Sequence, residues 1–463
     1  MNRLWVSIGA ALLFAVAWHS NRIYSDPSPA PLLDVPAGSI VSSDRYGDET
    51  LTRAGYTLYG ELAGVTSYSH YKGLRRPAGT WALMYDRGVP AQLSIPDQGG
   101  AAAWGGDAFY LFQNGRLFAY DPIGDAWTEK ARCTISISRG GLVRAVWTGT
   151  ELIVWGGVYV RGDSGARYNP KTNVWTAIST ENQPSPRTDY PMVWCGNRAI
   201  IWGGFQLQRP VGDGAMYDPS TNVWTAMSAK DAPTPRMYHT MVCNPANNTL
   251  IVWGGAQSGA IKACAQLDSG AIFDPARNVW TGSTTTTGAP APREGHTAVW
   301  SGSEMIVFGG AKGQPVRPEL VTLVTYNNGG RYNPAANSWQ PLPVSGAPAT
   351  VHHSAVWTGT SMVVTGGVRL PAEAGYNLMP VEEAAVNDPA TNAWRPIPFF
   401  ASKDPRSHHS SFLGDGILLA WGGFRYERTK AIPCTTGFRY FLRETAANIT
   451  ALSKQTLYLY RKN

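Results

Sequence analysis

Charge is scarce in this sequence: Asp, Glu, Lys and Arg make up 15% of 463 residues. No run of Lys and Arg is longer than two residues, as at Arg75–Arg76. The net charge of +7 therefore has no patch in which to concentrate, and nucleic acid is excluded as an expected partner. Cysteine is also scarce. Five residues, Cys133, Cys195, Cys243, Cys264 and Cys434, are too few for a disulfide scaffold, so packing must hold the core. The apolar run near the start is shorter than the ~20 residues that a membrane-spanning helix needs. What is abundant is Gly, with 50 residues, together with 33 Pro and 18 Trp. Such a composition suits many short strands and tight turns rather than long helices.

The first residues carry an export pattern. Arg3 is a positive start, Leu4–Val16 an apolar core, and Ala15-Val16-Ala17 a small-x-small site with the cut expected after Ala17. Trp18 prolongs the apolar run, so an uncleaved anchor is the alternative, and it is the one expected route of membrane contact. In either case the remainder is expected to be exported: periplasmic, secreted, or anchored facing outward. Residues 18–38, which include SDPSPAPLLDVPAG, read as a Pro-rich linker, and 39–95 as an irregular segment whose strands pack on the following domain.

From residue 96 onward a repeat dominates. Apolar runs end in double glycines at Gly156–Gly157, Gly203–Gly204, Gly254–Gly255, Gly309–Gly310, Gly366–Gly367 and Gly422–Gly423. The first five are each followed by an x-Pro turn and then a Trp. Tyr168-Asn169-Pro170 precedes Trp175, Tyr217-Asp218-Pro219 precedes Trp224, and Phe273-Asp274-Pro275 precedes Trp280. Tyr332-Asn333-Pro334 with Trp339 and Asn387-Asp388-Pro389 with Trp394 continue the series. An earlier copy, Tyr120-Asp121-Pro122 with Trp127, has Gln113-Asn114 in place of the glycines, and the last copy has Ile449 in place of the Trp.

Seven repeats of four short strands, a to d, imply a seven-bladed all-β propeller of four-stranded antiparallel blades, spanning 96–463. The pattern resembles kelch repeats, and through them the central domain of galactose oxidase and the bacterial sialic-acid mutarotases. Strands and Gly-Gly, Tyr-x-Pro and Trp positions are spaced as in that family, and the propeller follows from the resemblance. Function does not follow from the fold.

Strand order places the d–a and b–c connections on one face and the a–b and c–d turns on the other. The latter are short and uniform (TGT, SGS, NPKTN, DPSTN). The b–c connections vary, running 157–168, 204–217, 255–273, 310–332 and 367–387. Variation on one face marks it as the binding face. Its d–a loops repeat Pro-Arg-x-x-His: Arg187 with Asp189 and Tyr190, Arg236 with Tyr238 and His239, Arg293 with Glu294 and His296, and Arg406 with His409. In the sixth repeat Thr350 replaces Arg and His353 remains. Converging imidazoles suit a metal or a sugar. In kelch proteins the same motif bridges blades, so no metal and no cofactor is expected, and the Arg and His are read mainly as packing.

Two functional readings follow. One is an exported, monomeric propeller that binds a protein or a carbohydrate on this face. The other is a sugar-modifying enzyme, mutarotase-like, for which Glu294, Asp189, His296 and Arg293 would supply acid–base groups beside a cation. Tyr238-His239 and Tyr190 are similar to the copper ligands of galactose oxidase. The aligned inner strand LVRAVW lacks the Cys that would cross-link to a Tyr, so the ligand count argues against a copper-radical oxidase. Cys195 and Cys243 are expected as buried thiols, and Cys133 with Cys434 as a disulfide joining the first and last repeats. Ring closure is expected from Thr456–Tyr460 packing into the propeller beside N-terminal chain, with Thr80–Tyr85 and Gly55–Leu62 as further spare strands.

Overall fold

In the computed structural model, seven four-stranded antiparallel sheets form a β-propeller. The structure describes residues 40–42, 56–65, 80–84, 455–462 and 100–442, the last with gaps at 123–125, 138–142, 158–164, 258–264, 318–319, 370–378, 382, 398–405, 428–429 and 435. The expected signal and linker, residues 1–38, and Cys264 lie outside the described residues.

The second blade shows how sequence becomes sheet. Strand a is Val143–Trp147, b is Leu152–Gly156, c is Gly165–Asn169 and d is Val174–Ala177, paired in that order. Strand b is buried along its whole length. It lies inside the blade, with a neighbouring blade on each face, so the sequence there is a continuous apolar run without alternation. Strand d is the outer edge, and exposed residues surround its Trp. In the third blade this pattern over Val223–Ala226 buries Trp224 alone.

The repeated Trp joins blades as well as filling them. Trp175 Nε1 donates to Ala131 O of the first blade at 2.7 Å, and Trp224 to Ser179 O, Trp280 to Ser228 O and Trp339 to Thr285 O, each at 2.9 Å. The Asn of the c–d turn accepts the amide of the same residue or of its aligned counterpart, as Asn222 Oδ1 does from Ser179 N at 3.1 Å. Tyr217 hydroxyl donates to that Asn at 2.7 Å. A Tyr-x-Pro-x-x-Asn-x-Trp string is therefore one clamp on the preceding blade. Asn222 holds φ 58, the left-handed region that Asn tolerates best after Gly.

Closure follows the sequence expectation in part: the C-terminal strand pairs with N-terminal chain, but the blade is completed by Thr80–Leu83 instead. The seventh blade takes its fourth strand from Thr80–Leu83, antiparallel to Gly437–Phe441, so Trp81 faces Tyr440 in register. The C-terminal strand, Gln455–Lys462, supplies no blade. It pairs with Ile40–Ser42 and Tyr56–Val65 in a separate three-stranded sheet. The compact propeller unit is accordingly 77–445, and 1–76 with 446–463 form another. The seventh repeat has lost its strand-d Trp, and an upstream strand takes the vacant edge. Arg439 Nη1 of that blade donates to Pro122 O of the first at 3.0 Å, which joins the two ends of the ring.

The cysteine pairing is also corrected. Cys195 and Cys243 form a disulfide, with Cα atoms 5.5 Å apart. They lie on the innermost strands of adjacent blades, Met192–Cys195 and Thr240–Asn244. Inner strands converge toward the axis, which brings matching heights within disulfide reach. Cys133 and Cys434 are buried thiols. Cys133 follows strand d of the first blade and packs with Val154 and Tyr168 of the second, so it faces away from the seventh. Replacing Cys195 and Cys243 together by Ala is expected to cost about 2–4 kcal/mol, the usual worth of a disulfide closing a loop of this order. Thermal melts of wild type and variant, each with and without reductant, check this. Equal melting temperatures in all four samples would show the bond carries no stability.

Candidate functional site

The d–a loops place the predicted residues in three layers. The guanidiniums are deepest. Arg187, Arg236, Arg293 and Arg406 are all buried. Arg293 Nη1 donates to Gly309 O at 2.8 Å and Asn328 O at 2.9 Å, Nη2 donates to Asn328 Oδ1 at 2.8 Å, and Nε to Ala291 O at 2.8 Å. Arg236 repeats this with Gly254, Ser269 and Thr234, and Arg187 with Gly203, Asp213 and Ser185. Each Arg thus ties its own d–a loop to the Gly-Gly and the b–c end of the same blade. Its backbone carbonyl accepts from the preceding blade's second glycine, as Arg293 O does from Gly255 N at 2.9 Å. Where Thr350 replaces Arg, its hydroxyl donates to Gly366 O at 2.8 Å and keeps one of the ties. Burial lowers the Arg236 and Arg293 guanidiniums to about 10, where they remain cations at neutral pH.

The imidazoles form the second layer, wedged between blades. His296 lies edge-on to Trp253 of the preceding blade, ring centroids 5.2 Å apart, and its Nε2 is 3.0 Å from Thr240 Oγ1 of that blade. His353 shares a 2.7 Å hydrogen bond with Thr297, and His409 a 2.9 Å bond with Thr365. A Cβ added at Gly254 would lie 2.6 Å from His296 Cε1, and one at Gly255 would lie 2.8 Å from His239 Cβ. The double glycine is therefore the bed for two imidazoles, one from each side, and both glycines also hold positive φ, 69° and 90°. Burial lowers His239, His353 and His409 to about 3 and His296 well below its ordinary value, so all four are neutral. Tyr190 takes the equivalent place in the third blade and donates its hydroxyl to Trp155 O at 2.9 Å. This turns the phenol into the blade stack and away from any site it could share with Tyr238.

The outer layer, the mouth of these loops, holds Asp189, Tyr238 and Glu294, none of which is buried. The residue before each His, or before Tyr190, has φ near 55–62°: Asp189, Tyr238, Gly295, His352 and His408. Backbone hydrogen bonds link parts of this ring, Tyr238 N to Asp189 O at 3.1 Å, His352 N to Gly295 O at 3.1 Å and His408 N to His352 O at 2.9 Å. His352 and His408 stack with centroids 4.1 Å apart, and a Cβ at Gly295 would meet the His352 ring at 3.1 Å. The sequence reading missed His352 and His408. The doublets His352-His353 and His408-His409 were the available signal, because one His belongs to the blade wedge and the other to the mouth. Glu294 is half-buried, and burial raises its carboxyl while a hydrogen bond from Gln266 opposes the rise.

Around this mouth several b–c connections become two-stranded hairpins. They are Phe205–Gln206 with Arg209–Pro210, Ala311–Arg317 with Leu320–Thr325, Val368–Arg369 with Met379–Pro380, and Phe424–Glu427 with Lys430–Pro433. The first blade has only the tight turn at Asn114-Gly115.

The geometry defines a β-propeller whose Gly-Gly, Arg, His and Trp positions all serve packing within and between blades. The fold is a seven-bladed β-propeller of kelch type. Residues 224–423 match the KLHDC2/KLHL20/DRC7 Kelch-repeats domain. The chain is 28% identical over 185 residues to Kelch domain-containing protein 3 of Bos taurus, covering 38% of this chain and 45% of that protein. The human protein of the same name gives the same identity and coverage. Rab9 effector protein with kelch motifs of Danio rerio is 32% identical over 88 residues, 19% of this chain and 24% of the relative. The chain spans less than half the length of these curated relatives.

Proposed function

We propose that this propeller is an exported protein-binding scaffold that docks its partner on the face formed by the d–a loops and b–c hairpins. The observation that carries this reading is the asymmetry of the two faces. One bears tight, repeated turns, while the other bears hairpins drawn out to different lengths around a mouth of partly exposed side chains. Kelch propellers typically serve as protein-binding scaffolds, and one relative is named Rab9 effector protein with kelch motifs. The Cys195–Cys243 disulfide supports export, since such bonds persist in oxidising compartments. It agrees with the signal pattern at Arg3 and Leu4–Val16.

A random-peptide display library and a glycan array, both probed with the whole protein, separate the protein and carbohydrate partners. Selected peptides are expected to compete for one epitope. They should weaken at least tenfold on Arg425→Glu or Lys312→Glu, both on b–c hairpins, and keep their affinity on Lys171→Glu in a c–d turn. Binding to glycans alone would overturn the protein reading.

A second reading, a mutarotase-like enzyme at the mouth, is favoured by one observation. Glu294 is a half-buried carboxyl raised above its ordinary value, as a general acid requires. Its would-be partners Arg293 and His296 are spent inside the blades. Sugar-anomer exchange followed by NMR, lost in Glu294→Gln, would establish it.

A further inference from the structure

Four blade junctions are tied near the axis by a side chain of the d–a loop. Tyr190 hydroxyl donates to Trp155 O between the second and third blades, and His296, His353 and His409 bond Thr240, Thr297 and Thr365 at the three junctions from the fourth blade to the seventh. The junction of the third and fourth blades departs from this. His239 holds the same wedge, edge-on to Trp202 with centroids 5.4 Å apart, but among the described residues its Nε2 is buried without a hydrogen-bond partner. The cause is one residue. Thr240 and Thr297 directly follow His239 and His296 and bond the wedge of the next blade. Pro191 follows Tyr190 and has no hydroxyl to offer His239. At the opposite ends of the same two inner strands, Met192–Cys195 and Thr240–Asn244, stands the Cys195–Cys243 disulfide. Cys195 is buried and Cys243 only partly so.

A buried imidazole nitrogen left without a partner weakens a junction, and here a covalent bond stands where the hydrogen bond is missing. We propose that Cys195–Cys243 is a thiol–disulfide exchange site, a latch on the third and fourth blades that a dithiol reductant releases. The reductant's thiolate attacks the sulfur of Cys243, the more exposed partner. The S–S bond breaks, and Cys195 leaves as a thiolate and takes up a proton. The second thiol of the reductant then attacks its own sulfur in the mixed disulfide, so Cys243 departs as a thiol and the reductant as a cyclic disulfide. The clamp of Trp280 on Ser228 O, at 2.9 Å, remains at the rim, so the junction opens from the axis. Tyr238 N donates to Asp189 O at 3.1 Å across this junction, which passes the opening to two loops of the docking face. Control of docking rests on the protein-binding reading of that face; the exchange itself does not.

Hydrogen exchange of the full chain at pH 8, oxidised or treated with dithiothreitol, tests the latch. Reduction is expected to speed exchange about tenfold over 187–195 and 236–244 and to leave 297–300 and 354–357 unchanged. Pro191→Thr supplies the hydroxyl that Thr240 and Thr297 provide elsewhere, and reduction should then speed exchange less than about threefold. The double variant Cys195→Ala, Cys243→Ala should exchange as the reduced protein does. Acceleration spread evenly over all the blades would make the bond a general staple and overturn the latch, as would exchange rates indifferent to reduction. A disulfide that dithiothreitol leaves intact in the folded protein would overturn the exchange site. Peptides selected from the display library on the oxidised protein should bind the reduced form about tenfold more weakly. Equal binding to both forms, beside accelerated exchange, would overturn control of the docking face. A library that yields no binders would overturn the protein-binding reading and leave the latch to be decided by the exchange rates.

Discussion

Acidification is expected to unfold this propeller over a narrow range below pH 6. His239, His353 and His409 are buried with folded pKa values near 3, and His296 is shifted in the same direction. In the unfolded chain each would titrate at about 6.5. Between those values the unfolded state binds protons that the folded state refuses. Stability is therefore intact above about pH 6.5 and is lost as pH falls toward 3. Each imidazole contributes about a tenfold loss in the folding equilibrium per pH unit, so three contribute about a thousandfold. By pH 5 the loss is about 6 kcal/mol, comparable with the whole stability of an ordinary domain. The Arg116 guanidinium holds the Glu129 carboxyl below its usual range, and losing that pair at low pH acts in the same direction. Glu294 acts oppositely, because its burial cost is relieved when it is protonated, but it is one group against several.

Melting temperature measured from pH 8 to pH 4 checks the slope. The variant His239→Tyr isolates one contribution. Tyr190 shows that a phenol fits the equivalent wedge and reaches the carbonyl of the preceding Trp. That variant is expected to fold at pH 8 and to lose stability about tenfold less steeply per pH unit. A wild-type profile that stays flat to pH 4 would show that the imidazoles take up protons in the folded state.

The blades were legible because their signals are local and repeated. An apolar run ending in Gly-Gly, an x-Pro turn and a Trp each recur at matching positions, and each has one structural job. The dual role of the Gly-Gly was not legible, since it depends on imidazoles reaching in from the following d–a loop as well as from the blade's own. Pairings between distant segments were also hidden. Cys195 and Cys243 meet only because inner strands converge, whereas Cys133 and Cys434 were paired on repeat number without regard to which way Cys133 faces. The d–a motif offered twelve candidates on the binding face, and of these only Asp189, Tyr238 and Glu294 are not buried. The side chains with an interior role repeat in blade after blade, as Arg and His do here. The side chains outside those wedges vary at a fixed backbone position, as Asp189, Tyr238, His352 and His408 do.

Replacing residues 80–84 by a Gly/Ser linker of equal length is expected to lower the melting temperature of the whole propeller by about 6 °C. Thr80–Leu83 is the outer strand of the seventh blade, in register with Gly437–Phe441. Met84 N extends the pairing to Gly437 O at 2.8 Å, and the Met84 side chain is buried with Trp127, Trp421 and Phe441. These residues span the junction of first and last blades, where Trp127 and Trp421 lie 4.7 Å apart. Loss of the strand removes one large apolar side chain from that junction, at about 2–3 kcal/mol, and several ladder hydrogen bonds at about 1 kcal/mol each. The sum, about 5 kcal/mol, corresponds to a shift of the expected size in a domain this large. It also leaves the edge of Gly437–Phe441 open to pairing with another chain, so the variant should self-associate at high concentration. Truncation of residues 455–463 is the control. It removes a strand from the three-stranded sheet and leaves all seven blades four-stranded, so it should shift the main transition less. A peptide spanning residues 77–86, added in excess to the linker variant, should restore part of the lost stability. Equal melting temperatures for wild type and linker variant would show that the ring closes without this strand.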